Sequence, residues 1–222
     1  MRPSFSPLHL LLFVVLLVLL LAFVQVGLLT VAFDKLGLSA SSGFLLLYAS
    51  LFGSMINLPL ATIDAHPPPQ DQLPRELRGL LRQQPRPFTG RTVIALNVGG
   101  GLIPVMFSAY LMAHNPLGAG EVLLGVGLVT AVSYGFSRPI PGLGIGMPIL
   151  IAPIGAALAA VLISPQHSPP LAYISGTLGV LIGADLLRVK DIKHLGAPVA
   201  SIGGAGTFDG IFVTGIVAVL LA

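Results

Sequence analysis

The sequence predicts an all-α integral membrane protein: one polytopic domain, 1–222, of about seven transmembrane helices with a glycine-broken, re-entrant entry to the last. Three observations predict it. Hydrophobic residues make up 55% of the chain and charged ones only 9%, with a mean hydropathy of +0.95, too little charge to solvate a soluble domain of this length. Several apolar runs reach the ~20 residues that cross a bilayer as helix, and none alternates as a barrel strand would. Ten of the eleven lysines and arginines also fall on one side once those runs are threaded. The chain has no cysteine, which excludes disulfides and thiolate metal sites. Its net charge of +3 sits in loops, where topology explains it, so no nucleic-acid partner is expected.

The first span, 8–33, is interrupted only by His9 and Gln25. That run is too long for the core of a secretory leader, and Ala22-Phe23-Val24 is a poor cleavage site, so a retained span is expected. Asp34 and Lys35 lead to a second span, 39–62. Composition then changes over a loop, 64–91, with Pro67-Pro68-Pro69 and five arginines. Within it Leu77, Leu80 and Leu81 share one helical face, which reads either as a short interfacial helix on anionic lipid or as an ordinary solvated loop. Spans 92–114, 121–136, 143–164, 171–187 and 204–222 complete the set. Arg2, the five loop arginines, Arg138, Arg188, Lys190 and Lys193 lie on one side and Lys35 alone on the other. The N-terminus is therefore expected inside, the C-terminus outside, in a prokaryotic cytoplasmic (inner) membrane. No internal repeat is evident, which disfavours inverted-repeat carriers.

Asp185 and Asp209 are the two acids that must lie well inside apolar sequence. An ionisable group in hydrocarbon is costly and therefore marks a functional site by default. Counting from the far ends of their segments, Leu171 and Ala222, places both acids at ~20 Å along antiparallel helices, hence at one level. The same arithmetic leaves Ser201-Ile202-Gly203-Gly204-Ala205-Gly206 as an extended or re-entrant entry, tolerated at that depth only where protein buries it or water reaches it. Two carboxylates held close share a proton, so the ionised one can activate water while the protonated one polarises a carbonyl. The same pair can bind a proton or cation in transit, or only hold the bundle together by hydrogen bonding to glycine-broken backbone. The residues alone leave these three roles open. No metal and no cofactor is expected; the partners expected are the lipid bilayer and, for hydrolysis, a membrane-spanning peptide or protein substrate.

Four stretches, Asn97-Val98-Gly99-Gly100-Gly101, Arg138-Pro139-Ile140-Pro141-Gly142, Ile182 through Leu187 and Ser201 through Phe212, are similar to an uncharacterised family of prokaryotic multi-pass membrane proteins. More distantly, the arrangement resembles the GxGD aspartyl intramembrane proteases: presenilin, signal peptide peptidase and the prepilin peptidases. In the presenilin branch one catalytic Asp lies near the cytoplasmic end of the sixth span, and the other follows a Gly-x-Gly at the start of the seventh. Asp185 and Asp209 match those places. The resemblance implies a hydrolase, an aspartyl intramembrane peptidase, with Asp185 and Asp209 catalytic and Gly183, Ala184, Gly204, Gly206, Thr207, Phe208, Pro139 and Pro141 shaping the site or binding substrate. Ala184 replaces the Tyr that usually precedes the first Asp, and Thr207 and Phe208 separate Gly204-Ala205-Gly206 from Asp209. The eighth and ninth spans of that branch, with their Pro-Ala-Leu motif, have no counterpart; Pro139-Ile140-Pro141-Gly142 and Ala197-Pro198-Val199 are the candidate replacements.

Other signals have plainer readings. Gly142/Gly146, Gly179/Gly183 and Gly206/Gly210 are spaced for close helix packing. The Gly142–Gly146 run lacks the preceding strand and the lysine of a phosphate loop. Asn97 is expected to bond a neighbouring helix or line the cavity, and Tyr134 and Tyr173 to anchor at the membrane interface or, for one of them, to reach the dyad. His114 and Glu121 are close enough in sequence to suggest a metal, but loop polarity explains them.

Overall fold

The computed structural model describes residues 7–66, 90–140, 144–194, 196–204 and 210–222. The uninterrupted apolar run at the start forms α1, Pro7–Lys35, about 43 Å long at 1.5 Å per residue. Consecutive residues Val18, Leu19 and Leu20 are 57%, 60% and 59% exposed, so no protein covers any face of the helix there. Among the described residues its last turns dock: Ala32 and Phe33 are buried, and Lys35 Nζ donates to the carbonyls of Val219 and Leu220. Ser39 accepts a bond from Ser42 N–H and caps α2, Ala40–Gly53.

The chain is mostly helical, but the all-α expectation is corrected here. Residues 57–64, at the end of the predicted second span, form β1, Asn57–Asp64. The predicted third span opens with β2, Arg91–Asn97. The two pair antiparallel from Asn57↔Asn97 to Asp64↔Arg91, with a bulge between Pro59 and Ala61. Proline has no N–H for a ladder, which suits an edge strand with a bulge. A third strand, β5, Val199–Ile202, adds in parallel to the other side of β2 from Val93↔Val199 to Leu96↔Ile202. β2, in the middle, buries Thr92, Ile94, Ala95 and Asn97, whereas β1 is almost wholly exposed. These runs are apolar enough to pass for helix, and length and β-branching arbitrate only weakly between the two.

A π-helical turn, Val98–Leu102, leads from β2 into α3, Ile103–His114, and then α4 follows at Ala119–Phe136. A short hairpin of β3, Arg138–Ile140, and β4, Gly144–Gly146, leads to α5, Ile151–Ile163. Next comes α6, Ser168–Val180, the centre of the bundle, buried on every side and packed by α3, α4, α5 and the last helix, α7, Gly210–Leu221. Its small residues allow this close approach. A Cβ on Gly176 would lie 3.3 Å from Ala156 of α5 and 3.6 Å from Ala218 of α7. Ser175 and Thr177 return their hydroxyls to carbonyls one turn back, so their burial leaves no donor unpaired. Tyr173, expected at an interface, is instead fully buried in this core, edge-to-face on Phe107 at 4.9 Å.

By length and composition α1, over Leu17–Lys35, and α4 can cross a membrane; the apolar helices Ala40–Gly53, Val98–His114, Ile151–Ile163 and Ile211–Leu221 are shorter than a full span. Seven spanning helices are therefore not what the described residues show.

Candidate functional site

Beyond Val180 the central helix widens into a π-helical turn, Leu181–Leu186, closed by Leu187 N–H on the Ile182 carbonyl at 2.9 Å. Such turns recur at functional sites because they redirect one side chain without ending the helix. The side chain here is Asp185. Two glycines seat the segment: a Cβ on Gly179 would lie 2.6 Å from Val129 Cβ, and one on Gly183 would run into the Thr130 carbonyl and sit 2.9 Å from Ser133 Cβ. This pair thus packs against α4, as its spacing predicts. Gly183 faces that helix and not the cavity described below.

Asp185 is half-buried, and its Oδ2 accepts a 2.7 Å hydrogen bond from Gly203 N–H. Gly203 follows β5 directly, with φ +83°, and Gly204 continues at +99°, conformations that L side chains rarely adopt. The close approach is as demanding as the dihedral. A Cβ on Gly203 would lie 2.5 Å from the Gly101 nitrogen and 2.8 Å from the Gly100 carbonyl carbon. The glycine triplet after β2 is therefore a seat for another strand's turn. Its first member serves the opposite side, where a Cβ on Gly99 would collide with the backbone of Ser50 in α2 and of Ser54 just after it.

Asn97 holds this seat. Buried to 1% exposure, it accepts from Gly100 N–H at 2.8 Å and donates to the Ser54 carbonyl at 2.7 Å and to Asn57 Oδ1 at 3.1 Å. Ser201 donates to the same Asn57 oxygen. One network therefore ties β1, β2, β5 and the end of α2 to the turn that faces Asp185. Asn97 bonds a neighbouring helix end, one of its two expected roles. Sequence reading missed Asn57 and Ser201, whose partners are 40 or more residues away.

Asp185 lines a cavity of about 370 Å³. Ala184, Ser201, Ile202 and Gly204 border it with Asp185; Ile145, Met147 and Pro153 close another side, and Ile211 and Thr214 of α7 a third. Of the residues expected to form the site, Ala184, Asp185 and Gly204 thus come together. Pro139 lies on exposed β3, paired to Ile145 and not itself at the cavity wall. Asp209, Gly206, Thr207, Phe208 and Pro141 lie outside the described residues, as does the predicted interfacial segment at 75–82.

The other candidates are accounted for locally. Tyr134 supports the Arg188 guanidinium, 4.3 Å from the ring centroid, and Arg188 also donates to the Tyr134 and Ser137 carbonyls at 2.8 and 2.9 Å, closing the C-terminal end of α4. Glu121 accepts from Gly118 N–H at 2.7 Å as a helix cap, and His114 stacks on Tyr110 with centroids 4.0 Å apart. Among the described residues no group of three potential metal ligands occurs.

The family described as Protein of unknown function (DUF1614) matches residues 51–221. No curated protein and no solved structure matches the chain.

Proposed function

We propose that this chain, which belongs to the DUF1614 family, is an aspartyl intramembrane peptidase that uses Asp185 and Asp209 to hydrolyse a peptide bond of a membrane-embedded segment. The observation that carries this reading is that Asp185 and both flanks of the Asp209 segment border one cavity. Gly204 precedes residues 205–209 and Ile211 follows them, and each lines the wall that Asp185 also lines. The strand, the two left-handed glycines and the Gly203 N–H supply backbone that is not helical, which in a bilayer is tolerated where protein buries it or water enters. Hydrolysis needs that water.

In this mechanism the ionised carboxylate takes a proton from water as its oxygen adds to the scissile carbonyl carbon, while the protonated partner donates to the carbonyl oxygen. The resulting diol collapses and the C–N bond breaks: the amine leaves with a proton from the carboxyl that acted as base, while a diol hydroxyl gives its proton to the other carboxylate, which restores the starting pair. Gly203 N–H holds one oxygen of Asp185 by its hydrogen bond, and either acid can serve as the water-activating member. The bilayer is the prokaryotic cytoplasmic membrane, with the N-terminus inside, as the basic loops indicate.

The test compares wild type with Asp185→Asn and Asp209→Asn on a panel of single-span peptides, with products read by mass spectrometry. Cleavage by wild type that vanishes in both variants supports the dyad. Cleavage that survives either variant refutes it. Proton flux into liposomes that needs both acids, with no cleavage, establishes a proton- or cation-coupled carrier on the same residues instead. Loss of stability alone establishes a noncatalytic scaffold.

A further inference from the structure

We propose that Arg138, Lys190 and Lys193, three cations with no carboxylate partner among the described residues, on elements that border the Asp185 cavity, bind the anionic phospholipid headgroups of the surrounding leaflet. This rests on the membrane reading of the chain and not on the chemistry of the aspartates. Two elements border the cavity on this side: β4, through Gly144 and Ile145, and the 3₁₀ turn Val189–His194, through Ile192. Arg138 sits on the strand paired with β4, opposite Gly146, and Lys190 and Lys193 sit on the 3₁₀ turn. Arg188 joins the two elements by its bonds to Ser137, the residue before Arg138.

The neighbouring cations are already engaged: Arg188 with Asp191 at 3.2 Å and with the end of α4, Arg91 with Asp64 at 3.5 Å. Arg138, Lys190 and Lys193 are all exposed, and among the described residues none has a carboxylate within ion-pair distance. On the same or adjoining elements, Ile140 of β3, Leu186 and Leu187 ahead of the 3₁₀ turn, and Val199 of the cavity wall are exposed apolar side chains. A soluble anion would match the charges and leave those side chains in water. A phospholipid matches both, with phosphate against the cations and acyl chains against the apolar side chains.

The test takes the full chain in mixed micelles of equimolar phosphatidylglycerol and phosphatidylcholine and counts retained lipids by native mass spectrometry. Wild type retains phosphatidylglycerol preferentially, by roughly fivefold per cation at low salt. The preference disappears in Arg138→Gln/Lys190→Gln/Lys193→Gln and fades at about 1 M salt, where the Debye length is ~3 Å. The charge-preserving variant Arg138→Lys/Lys190→Arg/Lys193→Arg keeps it, which separates charge from misfolding. Equal retention of the two lipids by wild type, or an undiminished preference in the neutral variant, overturns the proposal. Release of the chain from membranes by alkaline carbonate would refute the membrane reading itself, whichever lipid is retained.

Discussion

Gly203→Ala tests whether the seat under Asp185 is as tight as it looks. The native φ of +83° costs an L residue about 1–2 kcal/mol. The added methyl would also lie 2.5 Å from the Gly101 nitrogen, 2.7 Å from its Cα and 2.8 Å from the Gly100 carbonyl carbon. All three are backbone atoms, so relief requires β5 or the Val98–Leu102 turn to move, which costs a further ~1–3 kcal/mol. The sum is about 2–5 kcal/mol, a large share of the ~5–15 kcal/mol that holds a typical domain folded. The movement also draws Gly203 N–H away from Asp185. The assay is reversible unfolding in mixed micelles, followed by far-UV circular dichroism. Gly127→Ala is the control: it lies in α4 with nothing within 4 Å of its added Cβ, and gains up to ~1 kcal/mol from helix propensity. A loss below about 0.5 kcal/mol for Gly203→Ala, or a gain like that of the control, would refute the close approach.

Other expectations follow from the same contacts. Asn97→Ala removes three bonds from a buried network and leaves Gly100 N–H and the Ser54 carbonyl without it, for a loss of about 3 kcal/mol in the same unfolding assay. Arg188→Lys keeps the charge but loses the fork on the α4 carbonyls and the stack on Tyr134; it should cost about 1–2 kcal/mol, a cost that Lys190→Arg does not share. Lys35→Met frees the last carbonyls of α7 and should cost about 0.5–1 kcal/mol, read as faster amide exchange in the final turn of that helix. Asp185→Asn retains an oxygen that can accept from Gly203 N–H, so it should unfold within ~1 kcal/mol of wild type even where turnover is abolished.

Helical segments were readable where hydropathy and sequence-local bonding coincide. The predicted 121–136 is observed as Ala119–Phe136, and Gly179 with Gly183 packs as its spacing implies. Leu58-Pro59-Leu60-Ala61-Thr62 and Thr92-Val93-Ile94-Ala95-Leu96 were read as helix, because an apolar run has the same composition in either form. What makes them strands is a partner, and β2 finds β5 more than one hundred residues away. Tyr173 failed for a related reason: an aromatic with a hydroxyl reads as interfacial, but only the packing of four helices around α6 decides that it is interior.

By itself, then, the sequence determined the apolar character of the chain, the approximate helical runs from 119 onward and the identity of Asp185 as an acid out of place in its surroundings. These are properties of single residues and of their near neighbours, set by transfer free energy and helical periodicity. Tertiary structure alone decided that Asn97 holds a seat of glycines, that Gly203 rests on it, and that the resulting turn offers its N–H to Asp185. Each of those contacts joins backbone distant in sequence, and a glycine's missing side chain leaves no trace in the chain of which backbone comes to fill its place.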